Sequence, residues 1–162
     1  MLEADQSLVD LTQGLARTGE VRWIGVRPGR RQPMQALAEV WAEPSTGLAG
    51  DRYIKDGKRQ VTLIQAEHLA VLAALLGWQE APAPELLRRN LVVAGINLMA
   101  LKGAHFRVGE VLLEGTGACH PCSRMEEVLG SGGYSAMRGH GGLTARIVEP
   151  GVIRLGAGVV PE

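Results

Sequence analysis

The sequence predicts a mainly β protein with peripheral helices, folded as a closed, mostly antiparallel β-barrel. Three observations lead there. The chain carries 22 glycines and 8 prolines in 162 residues, which implies many tight connections between short elements. Its apolar runs are short and rich in β-formers, as in Val61-Thr-Leu-Ile64 and Leu143-Thr-Ala-Arg-Ile-Val148. Helical segments do not alternate regularly with strands, which disfavours a βαβ parallel sheet and leaves a barrel as the better fit.

Leu8, Leu11 and Leu15 fall at helical spacing and predict a short amphipathic helix over residues 5–17, ended by Gly19. Residues 1–19 read as a helical extension packed on a barrel domain of residues 20–162. Val21 to Val26 alternates as a strand does. Pro28-Gly29 turns the chain, with Arg30 and Arg31 read as a solvated tip. Gln35 to Ala42 is a second strand, and residues 43–60 form a loop punctuated by Gly47, Gly50 and Gly57. That loop carries Asp51, Arg52, Lys58 and Arg59, and long loops in compact domains are often functional.

Val61 to Ile64 reads as a buried strand. Gln65 to Leu76 has a helical face of Leu69, Leu72, Ala73 and Leu76, with Gly77 as its C-terminal cap. His68 within it reads as a packing or surface residue. Glu85 to Arg89 is a helical turn, Asn90 to Val93 a strand, and Gly95 to Leu101 a turn or short helix. His105 to Val108 and Val111 to Leu113 form a hairpin about Gly109-Glu110. Arg124 to Leu129 and Tyr134 to Arg138 are short helical pieces, residues 139–142 a glycine-rich loop, and residues 143–148, 152–155 and 158–160 the closing strands.

A composition of 46% hydrophobic and 21% charged residues supports a real core in one domain. Seventeen basic and seventeen acidic side chains cancel, so no global field draws nucleic acid or an anionic membrane. Two cysteines make no disulfide framework and fit a reducing cytoplasm. The N-terminus lacks the basic and apolar regions of a signal peptide, and the longest apolar stretch, near Leu69 to Leu76, is too short to span a bilayer.

The chemistry concentrates in Gly115 to Glu127, which holds both cysteines, three apart, between a strand and a helix. Cys122 is the first candidate for a reactive group. Pro121 fixes the chain before it, a helix can start after it, and Arg124 adds positive charge. Such surroundings favour a thiolate, a nucleophile or soft-metal ligand. The bland alternative is a small buried hydrophobe.

Cys119-His-Pro-Cys122 also matches a Cys-x-x-Cys redox pair, with Cys119 as second thiol, but the thioredoxin-like frame for it is missing. Zinc would need two ligands more, and His105, His120 and His140 have no standard spacing. Arg52, Lys58, Arg59, Arg88, Arg89, Asn90, Arg138 and His140 are candidates to line a pocket for an anionic ligand, although each alone reads as solvated charge. Gly139 to Gly142 offers backbone N–H groups to a phosphate. No Walker, Gly-x-Gly-x-x-Gly, Gly-x-Ser-x-Gly or His-Glu-x-x-His motif occurs, nor a haem, flavin or iron–sulfur motif.

Six stretches in order resemble MOSC domains, named for the C-terminal domain of molybdenum-cofactor sulfurases. They are Gly47-Leu-Ala-Gly-Asp-Arg52, Arg59-Gln-Val-Thr-Leu-Ile-Gln65, Arg89-Asn-Leu-Val92, Gly95-Ile-Asn-Leu98, Phe106-Arg-Val-Gly109 and Cys119-His-Pro-Cys122. Gly141 to Ala145 and Gly151 to Ile153 fit the closing strands, so the resemblance covers about residues 20–160, as in small stand-alone bacterial members. It implies a closed barrel of the pyruvate-kinase-barrel-like kind. It also implies that the thiol matching Cys122 carries sulfur or binds molybdenum.

Some relatives use bound molybdenum cofactor to reduce N-hydroxylated compounds. The family description also includes pyridoxal phosphate binding, a label that suits a fused desulfurase domain. This chain has no recognisable lysine-centred site for it. Two departures stand out: Tyr53 where a His commonly follows Gly-Asp-Arg, and Gly156-Ala157 where Gly-Asp is common.

The resulting expectation is a cytoplasmic protein that binds molybdenum cofactor or carries sulfur through Cys122. Arg52, Arg59, Asn90, Arg124 and His140 would hold the cofactor. An electron-donor or sulfur-donor protein would be its partner, with no nucleic acid or membrane. The alternatives are a non-catalytic carrier and a dithiol redox protein using Cys119 and Cys122.

Overall fold

The computed structural model describes residues 7–162. Among them the strands are β1 (Gly19–Val26), β2 (Gln35–Leu37), β3 (Glu39–Glu43), β4 (Gly47–Leu48), β5 (Val61–Gln65), β6 (Leu91–Ala94), β7 (His105–Val108), β8 (Val111–Ala118), β9 (Leu143–Glu149), β10 (Gly151–Arg154) and β11 (Gly158–Pro161). The helices are α1 (Leu8–Gln13), α2 (Ala66–Leu76), α3 (Pro84–Leu87), α4 (Ser123–Leu129) and α5 (Gly133–Met137), with a 3-10 turn at Leu98–Leu101.

Seven strands close a barrel in the order β1-β11-β7-β8-β9-β5-β6 and back to β1. Every neighbouring pair is antiparallel except β5 and β6. A parallel pair needs a crossover, and α2 with α3 supplies it. The expectation against a regular βαβ sheet therefore stands, with one such unit built into the barrel wall.

The expected strand from Gln35 to Ala42 is two strands in two sheets. β2 pairs with β1, while β3 joins β4 and β10 in a separate three-stranded sheet. The break falls at Ala38, whose carbonyl accepts from the Leu155 N–H at 3.0 Å. The strand before the cysteines is longer than expected. β8 runs to Ala118 through irregularities in its pairing with β9, so Gly115 and Gly117 belong to the wall. The predicted amphipathic helix shrinks to α1, capped by Ser7, whose hydroxyl accepts from the Asp10 N–H. Residues 5 and 6 of that expectation lie outside the described residues.

Burial explains the pattern of the wall. β5 is buried along its whole length because it is covered on both faces. Val61 and Leu63 face the barrel interior with Leu91, Val93, Phe106 and Leu113. Ile64 and Val92 face outward under Leu72, Leu87, Met125, Leu129 and Met137 of the helices. Gly77 caps α2 as predicted, with φ 71° and its N–H on Ala73 and Ala74 carbonyls. Among the described residues no helix is long and apolar enough to cross a membrane.

One polar side chain ties the end of the barrel together. Asn90 is fully buried. Its Oδ1 accepts from the Thr62 N–H at 3.0 Å and the Thr62 hydroxyl at 3.1 Å. Its Nδ2 donates to the Gly25 carbonyl and to Asp51 Oδ1, each at 3.1 Å. The side chain thus joins β1, β5, the start of β6 and the loop after β4. Asn90→Ala strands these buried partners and is expected to lower stability by ~3 kcal/mol in urea unfolding, with an unchanged m-value.

Candidate functional site

Cys119 and Cys122 are both free thiols, and they differ in access: Cys119 is buried, Cys122 exposed. Cys122 is the residue before α4, with an extended backbone. Since α4 has only seven residues, its end contributes little to the field at the thiol. The charge there comes from arginines.

Cys122 lines a cavity of about 290 Å³ together with eight of them. Arg27, Arg30 and Arg31 come from the end of β1 and the turn after it. Arg52 and Arg59 come from the loop between β4 and β5. Arg88 and Arg89 follow α3, and Arg124 lies in α4. His120, Ser123 and Met125 complete the lining.

Two carboxylates answer this charge. Asp51 holds Arg27 through two of its guanidinium nitrogens, Nε at 3.2 Å and Nη2 at 3.0 Å, and accepts the Arg27 N–H at 2.8 Å. Glu127 pairs with Arg31 at 3.1 Å and lies 3.8 Å from Arg124. Among the described residues, Arg30, Arg52, Arg59, Arg88 and Arg89 have no carboxylate partner.

Arg89 is 7% exposed. Its Nε donates to the Gly141 carbonyl at 2.8 Å and its Nη1 to the Leu87 carbonyl at 3.0 Å, while Nη2 has no protein partner. Arg124 Nε is a second buried donor without one. Arg88 donates to the Gln32 carbonyl and, at 3.4 Å, to that of Gly29, which braces the turn after β1. Among the described residues the two non-glycine residues with positive φ are Arg31 and Arg88, both at 61°, and both line this cavity.

Burial pushes the pKa of Arg88 down, and the charges of Arg124, Arg27 and Arg52 push it further. Burial likewise lowers that of Arg89, opposed first by Cys119 and aided by Arg59 and Arg27. The site is thus under electrostatic repulsion that an anion relieves.

The structure brings Cys122, Arg52, Arg59, Arg88, Arg89 and Arg124 of the sequence-predicted residues to one cavity, but not Lys58. Cys119 lies beside it, with Arg59 Nη2 4.0 Å from its sulfur. It does not bring Asn90 there, since that side chain is consumed in the barrel end. Nor does it bring His140, whose Nδ1 is 3.0 Å from the Ala136 carbonyl and whose ring meets His68 edge-on at 5.0 Å. Arg138 lines a separate cavity with His120, Pro121, Tyr134 and Gly139.

The glycine loop is used differently from expectation. Its carbonyls do the bonding: Gly141 O takes Arg89 and Gly142 O takes the Cys119 N–H at 2.8 Å. A Cβ at Gly141 would lie 2.0 Å from the Cys119 carbonyl oxygen, and one at Gly142 1.8 Å from that of Leu63. The loop is a packing device that seats the cysteine segment on β5.

Arg30 and Arg31, expected as a solvated tip, are exposed and also line the cavity; Arg27 was missed altogether. The available signal was three arginines within residues 27–31. Tyr53, in place of the common His, still supports Asp51 through its backbone N–H at 3.2 Å.

A larger cavity of about 1090 Å³ lies between α1, the 3-10 turn and β7. It has neither thiol nor arginine in its lining, so size does not locate the chemistry. Among the described residues no three His, Cys, Asp or Glu side chains converge on a metal position, and the zinc alternative finds no support.

A closed mixed barrel carries an exposed thiol beside an arginine-lined cavity. The chain belongs to the MOSC domain family, whose model matches residues 50–160, and that family is linked to molybdenum-cofactor binding or sulfur transfer. The fold is similar to the YuaD protein from Bacillus subtilis, at 17% identity and TM-score 0.76 over 88% of this chain and 94% of that one. It is also similar to YiiM from Geobacillus stearothermophilus (16%, TM-score 0.71, 89% and 75% covered). YiiM from Escherichia coli is another neighbour (21%, TM-score 0.69, 90% and 70% covered). A search of curated proteins gave no match.

Burial alone would raise the pKa of Asp51. The hydrogen bonds and charge of Arg27, with the N–H groups of Arg27 and Tyr53, outweigh it and hold the carboxyl below its ordinary 3.8. A depressed carboxyl stabilises the fold above its unfolded value and loses that contribution as pH falls through the folded value. Asp51→Asn should therefore cost ~2 kcal/mol at pH 7, and the gap to wild type should narrow below about pH 4. Urea midpoints measured from pH 7 to 3 check both signs.

Proposed function

We propose that this protein binds the molybdenum cofactor, with Cys122 as the protein's ligand to the metal and the arginine cavity as the seat of the cofactor's phosphate. The carrying observation is the exposed Cys122 thiol on a cavity lined by eight arginines. The donor set fits the group. A thiolate is a soft ligand suited to a thiophilic metal. Arg89 Nη2, beside the thiols, is a buried donor that a phosphate oxygen would satisfy.

Pyridoxal phosphate does not fit. The chain's three lysines, Lys55, Lys58 and Lys102, are exposed, and none lines the cavity.

When bound, the cofactor supplies two-electron oxygen-atom chemistry. The chain's residues do the rest. Asp51 fixes Arg27 at the rim, and Arg89 and Arg59 hold anionic charge beside the thiols. His120 lines the same cavity and brings an imidazole for proton transfer to a substrate. We place the reaction class as reduction of N-hydroxylated compounds, following the family resemblance, with electrons from a partner protein in the cytoplasm. The dithiol reading requires Cys119 as the resolving thiol, so it fails if Cys119→Ser keeps full activity.

Protein made in a cofactor-competent host should carry about one molybdenum per chain by elemental analysis, and Cys122→Ser should lose at least ~10-fold of it. Cys119→Ser should retain the metal. Absence of molybdenum from all three, with a persulfide on Cys122 by mass spectrometry, would replace this reading with the sulfur-carrier one.

A further inference from the structure

The cavity holds more positive charge than one phosphate can answer. Asp51 and Glu127 already serve Arg27, Arg31 and, more distantly, Arg124. Arg30, Arg52, Arg59, Arg88 and Arg89 remain without a carboxylate among the described residues. A phosphate monoester brings roughly −1.5 to −2. More guanidinium charge is left over than it neutralises, around a space of about 290 Å³.

The unmet donors also fall in two places. Arg89 Nη2, on a side chain 7% exposed, belongs with the thiols: Arg59 reaches Cys119 at 4.0 Å, and the charges felt most by Arg89 are those of Cys119 and Arg59. Arg124 Nε belongs to α4, which Glu127 ties to Arg31 in the turn after β1. Arg88 grips that same turn, and Arg124 is the charge it feels most. Each buried donor without a partner marks a position for an acceptor oxygen.

We propose that the cavity takes two anionic groups at once, one at Arg59 and Arg89 beside the thiols and one at Arg88 and Arg124 below the turn after β1. The inference rests on reading this cavity as a phosphate seat. The ligand chemistry is a pair of oxyanions. One source is a single ligand with a pyrophosphate, as in a dinucleotide form of a cofactor. The other is a terminal phosphate together with a separate anionic substrate.

The test is isothermal titration calorimetry with inorganic phosphate and inorganic pyrophosphate on the full chain, made in a host unable to synthesise the cofactor. The expected result is one pyrophosphate per chain, bound at least ~30-fold tighter than phosphate, because a second set of charge-assisted hydrogen bonds is engaged. Arg88→Gln should abolish that advantage and leave a single phosphate site. Arg124→Gln serves the same purpose if the first variant melts early, since Arg88 also braces a turn.

Two phosphates per chain without a pyrophosphate preference would support the proposal with two separate anions. A single phosphate with no pyrophosphate preference, or no binding of either, would overturn it. Molybdenum retention in the holoprotein is read independently, so full metal with a one-phosphate cavity would sink this proposal alone.

Discussion

Asp51 is a carboxylate with almost no contact with water, and it accepts from five donors. Two are guanidinium nitrogens of Arg27, two are the N–H groups of Arg27 and Tyr53, and one is the Asn90 amide. A buried charge is tolerable when its lone pairs are filled and an opposite charge touches it. Here the same bonds do structural work for the site. Through Asn90 the carboxylate reaches β1, β5 and the start of β6. Through Arg27 it reaches the wall of the arginine cavity. The barrel end and the cavity are therefore one hydrogen-bonded unit.

From that unit outward, the molecule accepts strain and repulsion in one region. Two arginines carry left-handed backbone, two buried guanidinium donors lack partners, and arginines depress one another's proton affinity. Each feature is unfavourable in the isolated chain. They share a boundary, the cavity beside Cys122, and an anion there would relieve the repulsion and satisfy the donors. The packed glycines at 141 and 142 seat the cysteine segment against β5 behind it.

Much of the fold was legible. The glycine count, the short β-rich runs and the hairpin at Gly109 foretold a barrel, and the uniform burial of β5 follows from its apolar run. The split of residues 35–42 between two sheets was not legible, because a bend at Ala38 has no local signature and is fixed by the distant Leu155. Cys122 stood out as a candidate because two cysteines in one glycine-rich stretch are conspicuous. The arginines were harder. Arg27, Arg30 and Arg31 sit beside a turn that looks solvated in one dimension, and only barrel closure brings it over Arg52 and Arg88. Asn90 and His140 looked equally suited to a ligand. Whether a polar side chain is spent on the protein depends on partners such as Thr62 and Gly25, far away in sequence.

The account stands on Cys122 being the point where metal meets protein, with the charge of the cavity alongside. Molybdenum-edge anomalous diffraction from crystals of the holoprotein tests that most directly. The account predicts one strong anomalous peak within bonding distance of Cys122 Sγ, with phosphate density against Arg89. A peak elsewhere on the molecule, or metal density out of contact with Cys122, would contradict it.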